Sequence, residues 1–173
     1  MAGNSAQLYE TDFVRWTQQQ AAALRVAAAA GINLPLDWEN LAEEIDSLGR
    51  SQRRELRSRI ATILDHLIKL ECSPAPDPRL GWIETIERER REIELLLDDS
   101  PSLRGEAGGM IAAETPRAMR SVTRVLRGRG EAGPEVTGKI AASNYNTDQV
   151  LDDWFPGDVA EPGPPPAGGE RDG

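Results

Sequence analysis

One histidine and one cysteine set narrow limits on the chemistry open to this sequence. His66 lies seven residues after Arg59 in a segment of helical spacing, so two turns place both side chains on one face. A histidine there could carry a proton to or from a ribose hydroxyl near neutral pH, and the arginine could stabilise charge on phosphorus. This pair is the catalytic candidate, and its chemistry would be metal-independent RNA cleavage. The competing reading, favoured for so short a motif, is a histidine at the edge of a core, hydrogen-bonded to a neighbouring helix.

Other helical chemistries fail on counting. A carboxylate-bridged di-iron bundle needs two Glu-x-x-His pairs, yet Ile63 stands three residues before the single histidine. Cys72 can form neither an intramolecular disulfide nor a thiolate zinc cluster, and no histidine adjoins it. No phosphate-loop or dinucleotide fingerprint is present, since Gly105, Gly108 and Gly109 follow no strand. No metal site and no cofactor are expected, and the balance leans against an enzyme.

Charge supplies two further candidates. Ile83, Ile86, Ile93 and Leu97 are spaced as one apolar seam, and Arg90 occupies the position between Ile86 and Ile93. A guanidinium facing a core needs an anion. The helix before offers Glu39, Glu43 and Glu44, and a buried polar cluster of Arg90 with Glu43 or Glu44 is expected. Further on, Arg117, Arg120, Arg124 and Arg127 share one helix face, and Arg129 follows with no acid intervening. That face could grip phosphate or an acidic protein, although no aromatic residue interleaves the arginines as a single-strand stacking site requires. The whole chain carries 29 Asp and Glu against 20 Lys and Arg, net −9, which argues against a nucleic-acid coat protein. From residue 140 onward there are seven acids and one base, and this acidic end could fold back over the arginine face.

The elements that must position these residues are helices. Apolar residues recur at spacings of three and four and nowhere alternate over a strand length. The pattern predicts a first helix over residues 12–30, capped by Thr11 or Asp12 and stopped at Gly31. A second begins after Asp37, with Trp38, Leu41, Ile45 and Leu48 as its apolar stripe, and Gly49 marks a break or bend. A third covers residues 51–72 with the seam Leu56, Ile60, Ile63, Leu67 and Leu70. Three prolines between Ser73 and Pro78 end it. A fourth covers residues 80–98. Ser100 and Pro101 start a fifth, kinked at Pro116 and ending by Gly128. Residues 128–138 read as a loop, Thr147 as the cap of a last short helix, and Trp154-Phe155 as an anchor on the core. The fold class is thus all-α, a compact bundle of five or six helices over residues 8–156. Residues 1–7 read as a flexible start and 157–173 as a disordered acidic, Pro/Gly-rich tail. No apolar run reaches the roughly 18 residues of a membrane span, and no secretory signal opens the chain, so a cytoplasmic protein is expected.

Three stretches resemble a known family. They are Tyr9-Glu-Thr-Asp-Phe-Val-Arg-Trp-Thr; the block from Leu36-Asp-Trp-Glu-Asn-Leu-Ala-Glu-Glu-Ile-Asp-Ser-Leu-Gly-Arg-Ser through Arg53 to Asp65-His66-Leu-Ile-Lys69; and Thr85-Ile86, Arg90 and Ser100-Pro-Ser-Leu. Together they are similar to the bacterial domain of unknown function 29 (DUF29). The resemblance implies a helical domain and no established biochemistry. The chain departs from the family pattern in an alanine-rich insertion over residues 27–34 and in Asn144 before Tyr145. Separately, arginine followed by histidine on one helix resembles the signature of HEPN-type ribonucleases. The expected role is a helical interaction or accessory module with a protein partner. The alternative is an RNA-binding protein or HEPN-like ribonuclease using Arg59 and His66.

Overall fold

The computed structural model describes residues 2–157 apart from Asn33 and Asp77. Among these residues all regular structure is helical. The elements are α1 (Ala2–Thr11), α2 (Phe13–Ala29), α3 (Trp38–Cys72), α4 (Arg79–Asp99), a 3-10 turn (Pro101–Leu103), α5 (Arg104–Gly128), α6 (Pro134–Ala142) and α7 (Thr147–Leu151). A helix spans Ala2–Thr11 where the sequence pattern suggested a flexible start. The tail expected over 157–173, and its folding over the arginines, lie outside the described residues from 158 on.

The largest departure from expectation is α3. Two helices broken at Gly49 were expected; one helix of 35 residues is found. Asp37 caps it as expected, its carboxylate accepting from the Asn40 N–H. Gly49 is buried against α2, and a Cβ added there would overlap the Thr17 hydroxyl oxygen. The glycine therefore serves close helix approach, and its helix-propensity cost of about 1 kcal/mol is not enough to break the ladder.

The C-terminal half of α3 is the core's axis. Leu56, Ile60, Ile63 and Leu67 are wholly buried and Leu70 nearly so, as the seam predicts. α4 adds Trp82, Ile86, Ile93 and Leu97, and α5 adds Ala107, Met110, Ile111, Val122 and Leu126. α6 closes one side with Ile140, and α7 contributes Val150. From α2, among large apolar residues, only Val14 joins this core. The N-terminal half of α3 packs on α2 as a hairpin beside it.

Two helix starts hold each other. Asp12 caps α2 by accepting from Arg15 N–H and also accepts from the Ser102 N–H and hydroxyl. Ser100, expected to cap the following helix, makes no such bond; its buried hydroxyl instead accepts the Val14 N–H. The orphan donors of both starts are satisfied across the contact. α5 runs through Pro116, which lies on the exposed face. α6 occupies much of the expected loop, and Pro134 opens it at a position where a helix needs no N–H. α7 begins with a capping box of Asn146 and Gln149, so the cap is one residue earlier than Thr147.

Gly49→Ala should destabilise the protein by roughly 1–3 kcal/mol in a denaturant melt, since the packing conflict outweighs the propensity gain. In a Thr17→Ala background the nearest remaining atom, the residue-17 Cβ, is 3.5 Å from the new methyl. There the same substitution should stabilise by up to about 1 kcal/mol. Equal effects in both backgrounds would show that close approach is not why glycine stands there.

Candidate functional site

Arg59 and His66 lie on α3 along its contact with α4, as their spacing demands. Their surroundings differ. Arg59 is spent: Nη2 donates to Glu55 Oε1 at 2.7 Å and to Glu92 Oε2 at 3.2 Å, and Nη1 donates to Glu89 Oε2 at 2.9 Å. Burial works against its charge, but the hydrogen bonds with Glu55 and Glu89 prevail and hold it above the ordinary arginine value. A guanidinium held by three carboxylates is poorly placed to receive a phosphate, because those anions would repel it.

His66 is half-buried. Its Nδ1 lies 2.8 Å from the Thr62 carbonyl oxygen, one turn back on α3. A carbonyl only accepts, so Nδ1 carries the hydrogen and Nε2 is the bare nitrogen. Burial lowers the His66 pKa, opposed by the Thr62 bond and by Asp65 and reinforced by Lys69 and Arg88. Neither Arg59 nor His66 lines the cleft beside them. The neighbouring cleft, between α3 and α5, is lined by Thr62, Asp65, Glu114, Arg117 and Ser121. Cys72 is buried, and burial pushes its thiol up, away from the reactive thiolate.

The expected Glu43–Glu44–Arg90 cluster does not form. Glu43 and Glu44 are exposed on the hairpin, where Glu43 pairs with Arg50 and, at 3.9 Å, with Arg25. Arg90 is buried, as its place in the seam requires, but at the other end of the molecule's contacts. Nε donates to the Val150 carbonyl at 3.0 Å, and Nη2 donates to the Gln149 carbonyl at 2.9 Å and the Trp154 carbonyl at 2.7 Å. Its guanidinium carbon lies 4.9 Å from the Phe155 ring centre. The error has a physical source: backbone carbonyls at a helix C-terminus are an anion substitute that no side-chain pattern announces. Burial lowers the Arg90 pKa, and Asp153, Asp152 and Glu87 counter it. Nη1 is buried without a partner. Arg90 therefore clamps α7 and the 152–156 segment to α4, and the Trp154-Phe155 anchor holds through it.

The arginine face of α5 divides. Arg117 is tied to Glu114 at 2.6 Å. Arg120, Arg124 and Arg127 are exposed and line a groove against α6 with Met119, Ile140 and Pro116. Sequence reasoning missed two further polar links in the core's rim. The Arg53 Nε–H is shared between both Glu106 oxygens at 3.0 and 2.9 Å, joining α3 to α5. Tyr145 donates to Glu71 at 2.5 Å. Each pairs residues more than fifty positions apart, beyond any local pattern.

Among the described residues no group of three or more His, Cys, Asp or Glu side chains could hold a metal ion, and no helix is long and apolar enough to cross a membrane. The molecule is thus of the all-α class, with its charged candidates spent in structure or set on open faces. The chain belongs to the family described as Domain of unknown function DUF29, whose model matches residues 8–155. It is similar to an α-helical protein of unknown function from Rhodospirillum rubrum ATCC 11170, known from a crystal structure. The two share 29% identity with a TM-score of 0.67, over 86% of this chain and 91% of that one. No curated protein of established function matches.

Two outcomes are expected at these residues. Because one histidine is present, its imidazole signal in a proton NMR titration needs no assignment, and its midpoint should fall below 6.5. The unfolded chain then takes up the proton first. The stability contributed by neutral His66 is complete above about 6.5 and declines as pH falls from there through the folded value. A midpoint at or above 6.5 would contradict the buried placement. Arg90→Met should cost about 3 kcal/mol or more, since three carbonyls lose a charged donor. Hydrogen exchange should then accelerate at 147–156 before the rest, and Arg90→Lys, without the planar fork, should not restore protection. Uniform exchange changes would contradict a clamp.

Proposed function

We propose that the protein is a helical interaction module that binds a protein partner through the α2–α3 hairpin. The observation that carries the reading is the apolar stripe of α3. Trp38, Leu41, Ile45 and Leu48 share one face, yet Leu41 is 40% and Leu48 48% exposed. Ile32, Leu34 and Leu36 in the connecting turn and Val26 on α2 are also exposed. Single exposed apolar residues are ordinary, but a group of this size on one projecting hairpin is a mark of an interaction surface. One turn beyond Leu48, Gln52 continues the line into a small cleft with Tyr9 and Phe13, where its amide oxygen is buried without a partner. Tyr9 stacks edge-on with Trp16 at 4.9 Å, giving that end an aromatic rim of the kind favoured at binding surfaces.

The ribonuclease alternative draws less support. It needs Arg59 free beside His66, and Arg59 is engaged by Glu55, Glu89 and Glu92.

The test compares wild type with Leu41→Glu/Leu48→Glu in crosslinked capture from the cells of origin. Each substitution, at an exposed site, should change stability by no more than about 0.5 kcal/mol. A specific partner retained by wild type and lost by the double variant is the expected result; an identical captured set for both would overturn the hairpin reading. A parallel incubation with mixed RNA in chelator is expected to leave the RNA intact. Cleavage by wild type that His66→Ala abolishes would replace this proposal with the ribonuclease.

A further inference from the structure

The α5–α6 groove combines two features that seldom coincide on an acidic protein. Its wall is cationic: Arg120, Arg124 and Arg127 project from successive turns of α5. None of the three has a carboxylate within ion-pair distance among the described residues. The nearby acids are occupied. Glu131 accepts from the Ser73 hydroxyl at 2.9 Å, Glu135 pairs with Lys139 at 2.9 Å, and Glu114 pairs with Arg117. The open part of the lining is apolar, Met119 with Pro116 and Ala141 beside it, over Ile140, which is buried in the core beneath. The lining hydroxyls are turned inward to their own helices, Thr123 donating to the Met119 carbonyl and Thr137 to the Gly133 carbonyl.

We infer that this groove is a docking site for an acidic amphipathic helix of a partner protein. Charge complementarity selects the occupant. With net charge −9 the molecule repels an acidic partner over most of its surface and admits one where three arginines stand unanswered. The floor refines the choice. Phosphate alone would gain nothing from Met119, Pro116 and Ala141, and a nucleic acid would want aromatic faces that the groove lacks. A helix with leucine-like residues on one face and glutamates flanking them uses both features, its apolar face on the floor and its carboxylates against the arginines. The arginines lie at spacings of four and three, so acids repeated at helical spacing on a helix lying along α5 can meet all of them. The site is separate from the hairpin stripe and does not depend on its having a partner.

The test uses the full chain and fluorescence anisotropy. The probe is a labelled Leu/Glu peptide of about four helical turns with its leucines on one face. The controls are a scrambled peptide of the same composition and a single-stranded RNA of matching charge. The amphipathic peptide should bind at least about tenfold more tightly than either control, and its affinity should fall as salt rises. Arg120→Ala/Arg124→Ala/Arg127→Ala, all at exposed positions, should lose about tenfold or more with an unchanged thermal melt. Ala141→Glu, also exposed, should weaken binding by adding a repelling charge at the edge. Equal binding of the scrambled peptide would overturn the amphipathic requirement. Tighter arginine-dependent binding of RNA would make the groove a phosphate site, and no binding of the peptide would remove the site altogether.

Discussion

A helix of 35 residues is about 52 Å long, whereas a domain of about 150 residues is only about 40 Å across. No bundle of that size can bury α3 along its whole length, so one end must overhang. The chain resolves this by placing the apolar seam in the second half only. From Leu56 to Leu70 the helix is surrounded by α4, α5, α6 and α7. Before Leu56 its main neighbour is α2, and contact is secured less by bulk than by smallness: Ala21, Ala42 and Gly49 are buried there, with Thr17 set against the glycine. A hairpin held by close backbone approach buries one side of each helix and leaves the other to water. The exposure of Leu41 and Leu48 follows from α3's length and from the absence, among the described residues, of a third helix over that face.

The arginines show how environment rather than residue type assigns a role. Arg59 faces three glutamates across the α3–α4 contact and becomes a structural tie. Arg53 is fixed through its Nε–H to both oxygens of Glu106. Arg90 is buried and donates to the carbonyls of Gln149, Val150 and Trp154, where the partial negative charge of a helix end stands in for an acid, while its Nη1 has no partner. Arg120, Arg124 and Arg127 have no ion-pair partner among the described residues and stay exposed. The candidate cations drawn from the sequence are thus distinguished by what lies across the next helix, which the local pattern does not contain.

What was legible in the sequence was whatever repeats at helical spacing or acts within four residues. The α3 seam, the α4 seam with its intruding arginine, the Asp12 and Asp37 caps and the family resemblance are of this kind. Gly49 was misread because a glycine in a helical pattern has two uses, to end a helix or to admit a neighbour, and only the position of Thr17 decides between them. Ser100 was assigned to its own helix for the same reason: its hydroxyl faces Val14, 86 positions away. The partner of Arg90 was sought among acids because sequence displays side chains and hides carbonyls. α6 escaped because it is nine residues long among glycines and starts with a proline.

These placements bear on the kind of work the molecule does. Catalysis by a histidine and an arginine needs both groups uncommitted and converging on one concave space. Here the arginine is neutralised by three carboxylates, and the imidazole spends one nitrogen on its own helix. Forming a site from them would require breaking the Arg59 ties, which also join α3 to α4, so any gain in reactivity would be set against the packing of the core. The uncommitted groups lie elsewhere: leucines on the hairpin and arginines over an apolar floor beside α6. Both are long, open and aligned with a helix axis. That alignment is what the proposed helix-binding role rests on, since an amphipathic helix can lie along an open helical face.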